Sequence, residues 1–174
     1  MEDNVTTEPI RGERVVLRPV VAADLPWLRA VAAEPSVAES WDNGTGTDWI
    51  DELLDDDEVV PYVVEADDRP IGFAQWGEEP DPGYRSASID LFLTSDAQGL
   101  GYGRDVVRTL ARWLIHQRGH HRIEIDPAAS NKRAIRSYQS VGFRPIGIAR
   151  RRERSADGTW RDSLLMDLLA DELR

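Results

Sequence analysis

Three places in this sequence carry residues that could do chemistry. Gln98-Gly99-Leu100-Gly101-Tyr102-Gly103 lies between a stretch that reads as a strand and one that reads as a helix. Glycines let a backbone turn sharply and leave its amides open to a ligand. A helix start adds unpaired N–H groups and the positive end of the helix dipole, so the bend suits an anion such as phosphate. The other reading is a tight structural turn. Arg104 stands where the dinucleotide fingerprint needs its third glycine, and no Gly-Lys-Ser/Thr follows, so neither of those phosphate loops fits. Asp90 sits between Ile89 and Leu91-Phe92 in an apolar strand pattern, and Asp126 ends the alternating segment Arg122-Ile-Glu-Ile-Asp. A charge is unexpected at either place. Apolar neighbours would desolvate Asp90 and raise its pKa, which suits a proton acceptor. Cysteine is absent, which excludes disulfides, thiolate metal sites and cysteine nucleophiles. His120 and His121 lack further ligands at metal spacing; they read as surface or strand-edge residues, and no metal is implied.

The elements that must position these residues follow from periodicity and punctuation. Val15–Pro19 reads as a first strand. Asp24 stands as N-cap of a helix with Pro26 in its first turn and Leu25, Leu28, Val31 and Ala32 on one face. Thr47 stands as cap of a second helix carrying Trp49, Ile50, Leu53 and Leu54. Strands 59–65 and 71–76 flank the turn-like Asp67-Asp68-Arg69-Pro70, and another strand covers 87–94. A long helix repeats Val106, Val107, Leu110, Ala111, Leu114 and Ile115 at helical spacing, with Arg104, Arg108 and Arg112 opposite. Strand 122–126 leads to a helix from Asn131 to Val141 that stops at Gly142. Strands near 143–150 and 160–169 close the chain, although Leu164–Leu169 is also compatible with a helix. Residues 1–10 read as a leader and 11–174 as one domain. Strands in a row followed by alternating strands and helices argue for an α/β domain with a mixed sheet.

Composition bounds the function. A chain of 174 residues suits one domain of roughly 100–200 residues. With 32 acids and 21 bases the net charge is −11. Residues 1–90 hold 22 acids and 6 bases, and residues 91–174 hold 10 acids and 15 bases. The first half could meet a cation and the second an anion; solvated acidic loops are the plainer reading. So acidic a chain is a poor nucleic-acid binder. No run approaches the ~18 apolar residues of a membrane span, and Met1-Glu2-Asp3-Asn4 is not a secretory signal, so a cytoplasmic protein is expected.

Gln98-x-x-Gly101-x-Gly103 before an amphipathic helix, with Asn131-x-x-Ala134-Ile135-x-x-Tyr138-x-x-x-Gly142-Phe143 downstream, resembles the GNAT N-acetyltransferase superfamily. Val60-Pro61-Tyr62-Val63-Val64, Arg69-Pro70-Ile71-Gly72-Phe73-Ala74-Gln75, Asp81-Pro82-Gly83, Ser88-Ile89-Asp90 and Asp126-Pro127-x-x-Ser130-Asn131 look more narrowly like the aminoglycoside 6′-N-acetyltransferases. The resemblance implies a central mixed, mostly antiparallel sheet flanked by helices. It implies acetyl-CoA held by Gln98, Gly99, Leu100, Gly101, Tyr102, Gly103 and Arg104, with Leu91, Leu93 and Asn131. Asn131 reads equally as a helix cap. The implied substrate is a cationic small molecule, an aminoglycoside, acetylated by direct attack in a ternary complex. Protein N-termini and other small amines are the alternatives. The resemblance gives Asp90 the role of base; an ammonium counter-ion is the other reading. Tyr138 stands where the superfamily places the tyrosine that protonates the leaving thiolate, and it also reads as a core aromatic. A backbone amide of strand 87–94 is the implied oxyanion donor. Asp126 reads as a substrate-orienting carboxylate or a turn acid. Trp41 suits a tryptophan near the substrate, and Trp41 and Trp49 read as sugar-stacking or packing residues. Glu79 joins the substrate set, and acidic segments 48–58, 65–68 and 78–81 are candidate walls for a polycation. Monomer and homodimer are both open.

Overall fold

The computed structural model describes residues 8–41 and 46–174. The paired apolar runs become strands β3 (Val59–Ala66), β4 (Arg69–Glu78) and β5 (Ala87–Leu93), which lie at the middle of one open sheet. β1 (Ile10–Arg11) and β2 (Val16–Pro19) extend it on one side, and β6 (Arg122–Ile125), β7 (Arg144–Arg154) and β8 (Trp160–Leu169) on the other. The order is β1-β2-β3-β4-β5-β6-β8-β7, antiparallel throughout except for the parallel pair β5 and β6. Helices α1 (Leu25–Ala32), α2 (Pro35–Trp41), α3 (Trp49–Glu52), α4 (Tyr102–His116) and α5 (Lys132–Val141) flank the sheet. No helix among the described residues is long and apolar enough to cross a membrane.

Side chains alternate along a strand, so each central strand feeds two cores. From β5, Ala87, Ile89 and Leu93 join Val106, Leu110 and Leu114 of α4 in the larger core. Phe92 joins Phe73 of β4 in the smaller one, with Leu28, Val31, Val37 and Ile50 from α1, α2 and α3. Asp90, two residues from Phe92, therefore faces the α1–α3 side, across from Gln75 on β4, as Phe92 lies across from Phe73. Each fully buried leucine or phenylalanine contributes about 1.5–3 kcal/mol, so Asp90 sits on a rigid floor. Asp105 in the first turn of α4 is the exception on that helix. It is buried and accepts the backbone N–H groups of Arg14 (2.7 Å) and Val15 (3.1 Å), tying the lead-in of β2 to α4.

Several sequence expectations change. Residues 1–7 of the expected leader lie outside the described residues, while Ile10 is buried and pairs with Leu17. Asp24 occupies the N-cap position of α1 as expected, but its side chain makes no capping bond to that helix. Its carboxylate accepts from Val21 N–H (2.8 Å) and pairs with Arg18 (2.9 Å), ending a short 3-10 turn instead. Thr47 does not cap α3 through its side chain; its Oγ1 accepts from Arg29 at 3.2 Å, and Asp48 occupies the cap. α2 had no clear apolar period, since only Val37 on it is buried. Arg69 and Pro70 belong to β4. The hairpin turns on Asp67 and Asp68 alone, both at positive φ as a two-residue loop requires. Leu164–Leu169 is strand because β6 and β7 pair with it on both sides. His120 is buried rather than superficial. It packs 6.2 Å from the Trp76 ring, and burial pushes its pKa down, leaving it neutral. α5 does stop at Gly142, where a Cβ would lie 2.3 Å from the Glu172 carbonyl oxygen.

Candidate active site

The site begins where the sheet splits. β5 and β6 pair only at Ala87–Ile123 and Ser88–Glu124. Beyond those pairs the strands part, and the β6-facing edge of residues 89–93 has no strand partner among the described residues. Two cavities open along this parting. One, of about 600 Å³, is lined by Asp90, Gln75, Asp126 and Trp41; the other, of about 380 Å³, by Gln98, Gly99, Gly101, Gly103 and Arg104. Ser40, Leu91, Asn131 and Tyr138 line both, so these residues mark the passage between the cavities.

The smaller cavity has the chemistry of an anion cradle. Gly99 and Gly101 adopt positive φ of 77° and 88°, and Gly101 is the N-cap of α4 without a side-chain cap bond. A Cβ at Gly99 would project into open space, so that backbone stays bare. The first-turn N–H groups of α4 lack intrahelical acceptors and carry the positive end of the dipole. Arg104, Arg133 and Arg136 line the same cavity. Gln98 braces the turn, donating to the Leu93 carbonyl (3.0 Å) and accepting from Arg133 (2.7 Å). Leu93 and Leu91 line the cavity floor from β5. The side chains of Leu100 and Tyr102 do not line it. Arg14 holds both from outside, donating to the Leu100 carbonyl at 2.8 Å and stacking 4.3 Å from the Tyr102 ring centroid. Exposed backbone amides with three arginines fit the diphosphate and phosphate of acetyl-CoA. Asn131 caps α5, its Oδ1 accepting from Ala134 N–H (3.1 Å), and it also lines both cavities.

The larger cavity is acidic. Asp90 is half-buried on β5, and Gln75 Nε2 donates to its Oδ2 at 3.4 Å. Burial pushes its pKa up to about 6, helped by the charges of Asp126 and Glu153; Gln75 and Arg152 oppose the rise. Glu52 and Asp56 line the cavity from the acidic segment 48–58, whereas 65–68 and 78–81 do not reach it. Glu79 is therefore not part of the cavity. Asp90 lies opposite Gln75 on β4, and Glu79 is four residues further on, about 13 Å along an extended chain. Its carboxylate accepts from Asp81 N–H in its own loop (3.1 Å). Asp126 lines the cavity and pairs with Arg152 Nε at 2.6 Å.

Tyr138 projects from α5 between the two cavities. Its ring packs in the main core, 6.3 Å from Phe143. Burial, with the Asp90 charge, pushes its pKa up, so the hydroxyl keeps its proton at neutral pH and can donate it. Trp41 and Trp49 pack and line at once. The Trp41 ring meets Phe92 edge-on at 4.9 Å and lies 5.8 Å from Trp49, and both tryptophans border the acidic cavity. Sequence reasoning missed Arg152 and Glu153. Both lie past the expected end of strand 143–150, Arg152 on a bulge and Glu153 directly after it, which no local pattern announces. It also passed over Arg133 and Arg136, although their spacing of three on one helix face was a usable signal.

The model of the acetyltransferase (GNAT) family matches residues 25–143. An aminoglycoside N(6′)-acetyltransferase type 1 of Klebsiella pneumoniae is 33% identical over 133 residues, covering 70% of this chain and 63% of that protein. The match thus spans somewhat less than two thirds of that relative's length. Among solved structures, AAC(6′)-Ib in complex with paromomycin and acetyl-CoA superposes with a TM-score of 0.76 at 28% identity, covering 92% of this chain and 96% of the other. Mycobacterium smegmatis RimJ in complex with CoA-disulfide gives a TM-score of 0.82 at 27% identity, covering 95% and 88%.

Proposed function

Since this chain belongs to the acetyltransferase (GNAT) family, we propose that it transfers an acetyl group from acetyl-CoA to the 6′-amine of an aminoglycoside. One observation carries the reading. A basic, amide-lined cavity and an acidic one meet at Tyr138, with Asp90 on the acidic side. Among the described residues the acidic cavity presents Glu52, Asp56, Asp90, Asp126 and Glu153 against one base, Arg152, which favours a polycation over a neutral amine. The similarity to an aminoglycoside 6′-acetyltransferase supports the same substrate class.

Acetyl-CoA, when bound, supplies an acetyl thioester whose carbonyl carbon the free amine attacks, so that a C–N bond replaces a C–S bond. An alkylammonium has a pKa of about 10 and no lone pair, so a proton must leave first. An Asp90 carboxylate oxygen accepts that proton, directly or through water, and its raised pKa suits the task. Tyr138 Oη donates its proton to the departing sulfur. Nitrogen loses two protons in all. One is matched by the proton placed on sulfur, and the other reaches solvent by way of Asp90. The remaining carboxylates hold the other ammonium groups, and Trp41 and Trp49 present apolar ring faces to the sugars.

The test is CoA thiol release with neomycin, which has a 6′-amine, and paromomycin, which has a 6′-hydroxyl. Release with neomycin alone is expected. Equal release with both moves the acetylated position elsewhere on the drug. Silence with both, with acetyl-CoA still bound, overturns the aminoglycoside reading and points to peptide N-termini or polyamines.

A further inference from the structure

Arg152 has the wrong sign for a cavity that receives a polycation. It lines the cavity beside Glu153, although adjacent strand residues normally point to opposite faces. A bulge makes this possible. Ala149 pairs with Ser163 and Glu153 with Arg161, so residues 150–152 stand opposite Asp162 alone. Arg151 adopts a positive φ of 51°, and its N–H donates to Asp162 Oδ1 at 2.8 Å. Bulges of this kind re-aim a side chain. Here the result is Arg152 Nε on Asp126 Oδ2 at 2.6 Å, with the two side chains 53% and 35% exposed. Glu153 is held separately by Arg161, which donates to it at 3.0 Å and to the Ser40 carbonyl at 3.0 Å. Glu52, Asp56 and Asp90 are the other acids facing this space.

We propose that Arg152 is a specificity-determining residue, an internal counter-ion that holds Asp126 until a second ammonium group of the substrate displaces it. The inference rests on the cationic substrate proposed above. An ion pair this exposed is worth little, so a substrate ammonium can exchange with the guanidinium at small cost. The guanidinium then swings to solvent on its long stem. A monoamine, whose ammonium is satisfied at Asp90, has no group to make the exchange. Between turnovers Arg152 spares the cavity two facing, unpaired carboxylates, Asp126 and Asp90. Arg152 thus tempers the hold on polycations and leaves monoamines alone.

The test is calorimetric binding of neomycin and of glucosamine, a monoamino sugar, to wild type, Arg152→Gln, Arg152→Lys, Asp126→Asn and the Asp126→Asn/Arg152→Gln double variant. Arg152→Gln is expected to bind neomycin about two- to fivefold tighter, the worth of one half-exposed ion pair, with a much smaller change for glucosamine. Arg152→Lys, which keeps the charge, is expected to stay near wild type. In the Asp126→Asn background the Arg152→Gln gain is expected to vanish. An NMR titration of the free protein supplies a second readout. Asp90 is expected to titrate higher in Arg152→Gln, where the charge that lowers its pKa is gone, and to stay near wild type in Arg152→Lys, which separates the loss of charge from a change in packing. Weaker neomycin binding in Arg152→Gln, or a gain that persists without Asp126, overturns the proposal. Absence of acetyl transfer with this binding pattern intact overturns only the proposed function. Absence of neomycin binding in every protein overturns both.

Discussion

Replacing Asp90 by asparagine should make this protein more stable and much less active. Its carboxylate is held at a pKa of about 6 against an ordinary 3.8, chiefly by burial. A rise of that size corresponds to about 3 kcal/mol of preference for the neutral form in the folded state. The sign follows from linkage: the folded state binds the Asp90 proton more tightly than the unfolded chain does. The carboxylate therefore costs the fold nothing below pH 3.8, progressively more as pH rises toward 6, and its full penalty above that. Asparagine removes the charge, keeps nearly the same shape and retains an acceptor for Gln75 Nε2. Up to about 3 kcal/mol of stabilisation is expected above pH 6, or a Tm about 6–12 °C higher for a chain of this length. Urea unfolding of both proteins across this pH range checks it, with the difference between them shrinking toward zero in acid. The same substitution removes the proton acceptor, and kcat should fall about 10²–10⁴-fold. Equal stability of the two proteins above pH 6 would refute the desolvation argument. A gain in stability with undiminished kcat would leave Asp90 as a counter-ion only.

Three further outcomes follow from the same geometry. Tyr138→Phe keeps the ring packed beside Phe143 and removes only the donor, so kcat should fall about 100-fold or more while calorimetric acetyl-CoA affinity holds. In wild type, kcat/KM for an amine substrate should fall as pH drops through about 6 and Asp90 takes up its proton, read from a pH–rate profile. Asp105→Ala orphans the N–H groups of Arg14 and Val15 and should cost about 3 kcal/mol in urea unfolding, with less loss in Asp105→Asn.

The local patterns that made this fold readable are those with a strong physical signal. The helix face from Val106 to Leu114, the strand runs around Phe73 and Ile89, the glycine turn and the Gly142 stop all depend on near neighbours in the chain. Asp90 was visible for the same reason, as a charge inside an apolar strand, and it faces the acidic cavity with Gln75 beside it. Tyr138 and Asn131 were legible as members of a motif and lie where the two cavities meet. The short elements were not legible. α2 buries a single residue, and β1 consists of two residues whose strand character depends on pairing with β2.

The sequence by itself determined which segments turn, which faces are apolar and which residues could move a proton, because these are properties of residue type and spacing. Only the tertiary structure decided who faces whom. The parting of β5 from β6 opens the site, and it depends on where two strands distant in the chain stop pairing. Glu52 and Asp56 reach the cavity while Glu79 does not, because sheet register carries Glu79 past the site. Arg152 enters it through a bulge set by the mismatch of two strands rather than by its own neighbours. Burial and the charge of a long-range cavity both come from segments that only folding brings together; burial first, and then the Asp126 and Glu153 charges, give Asp90 its raised pKa.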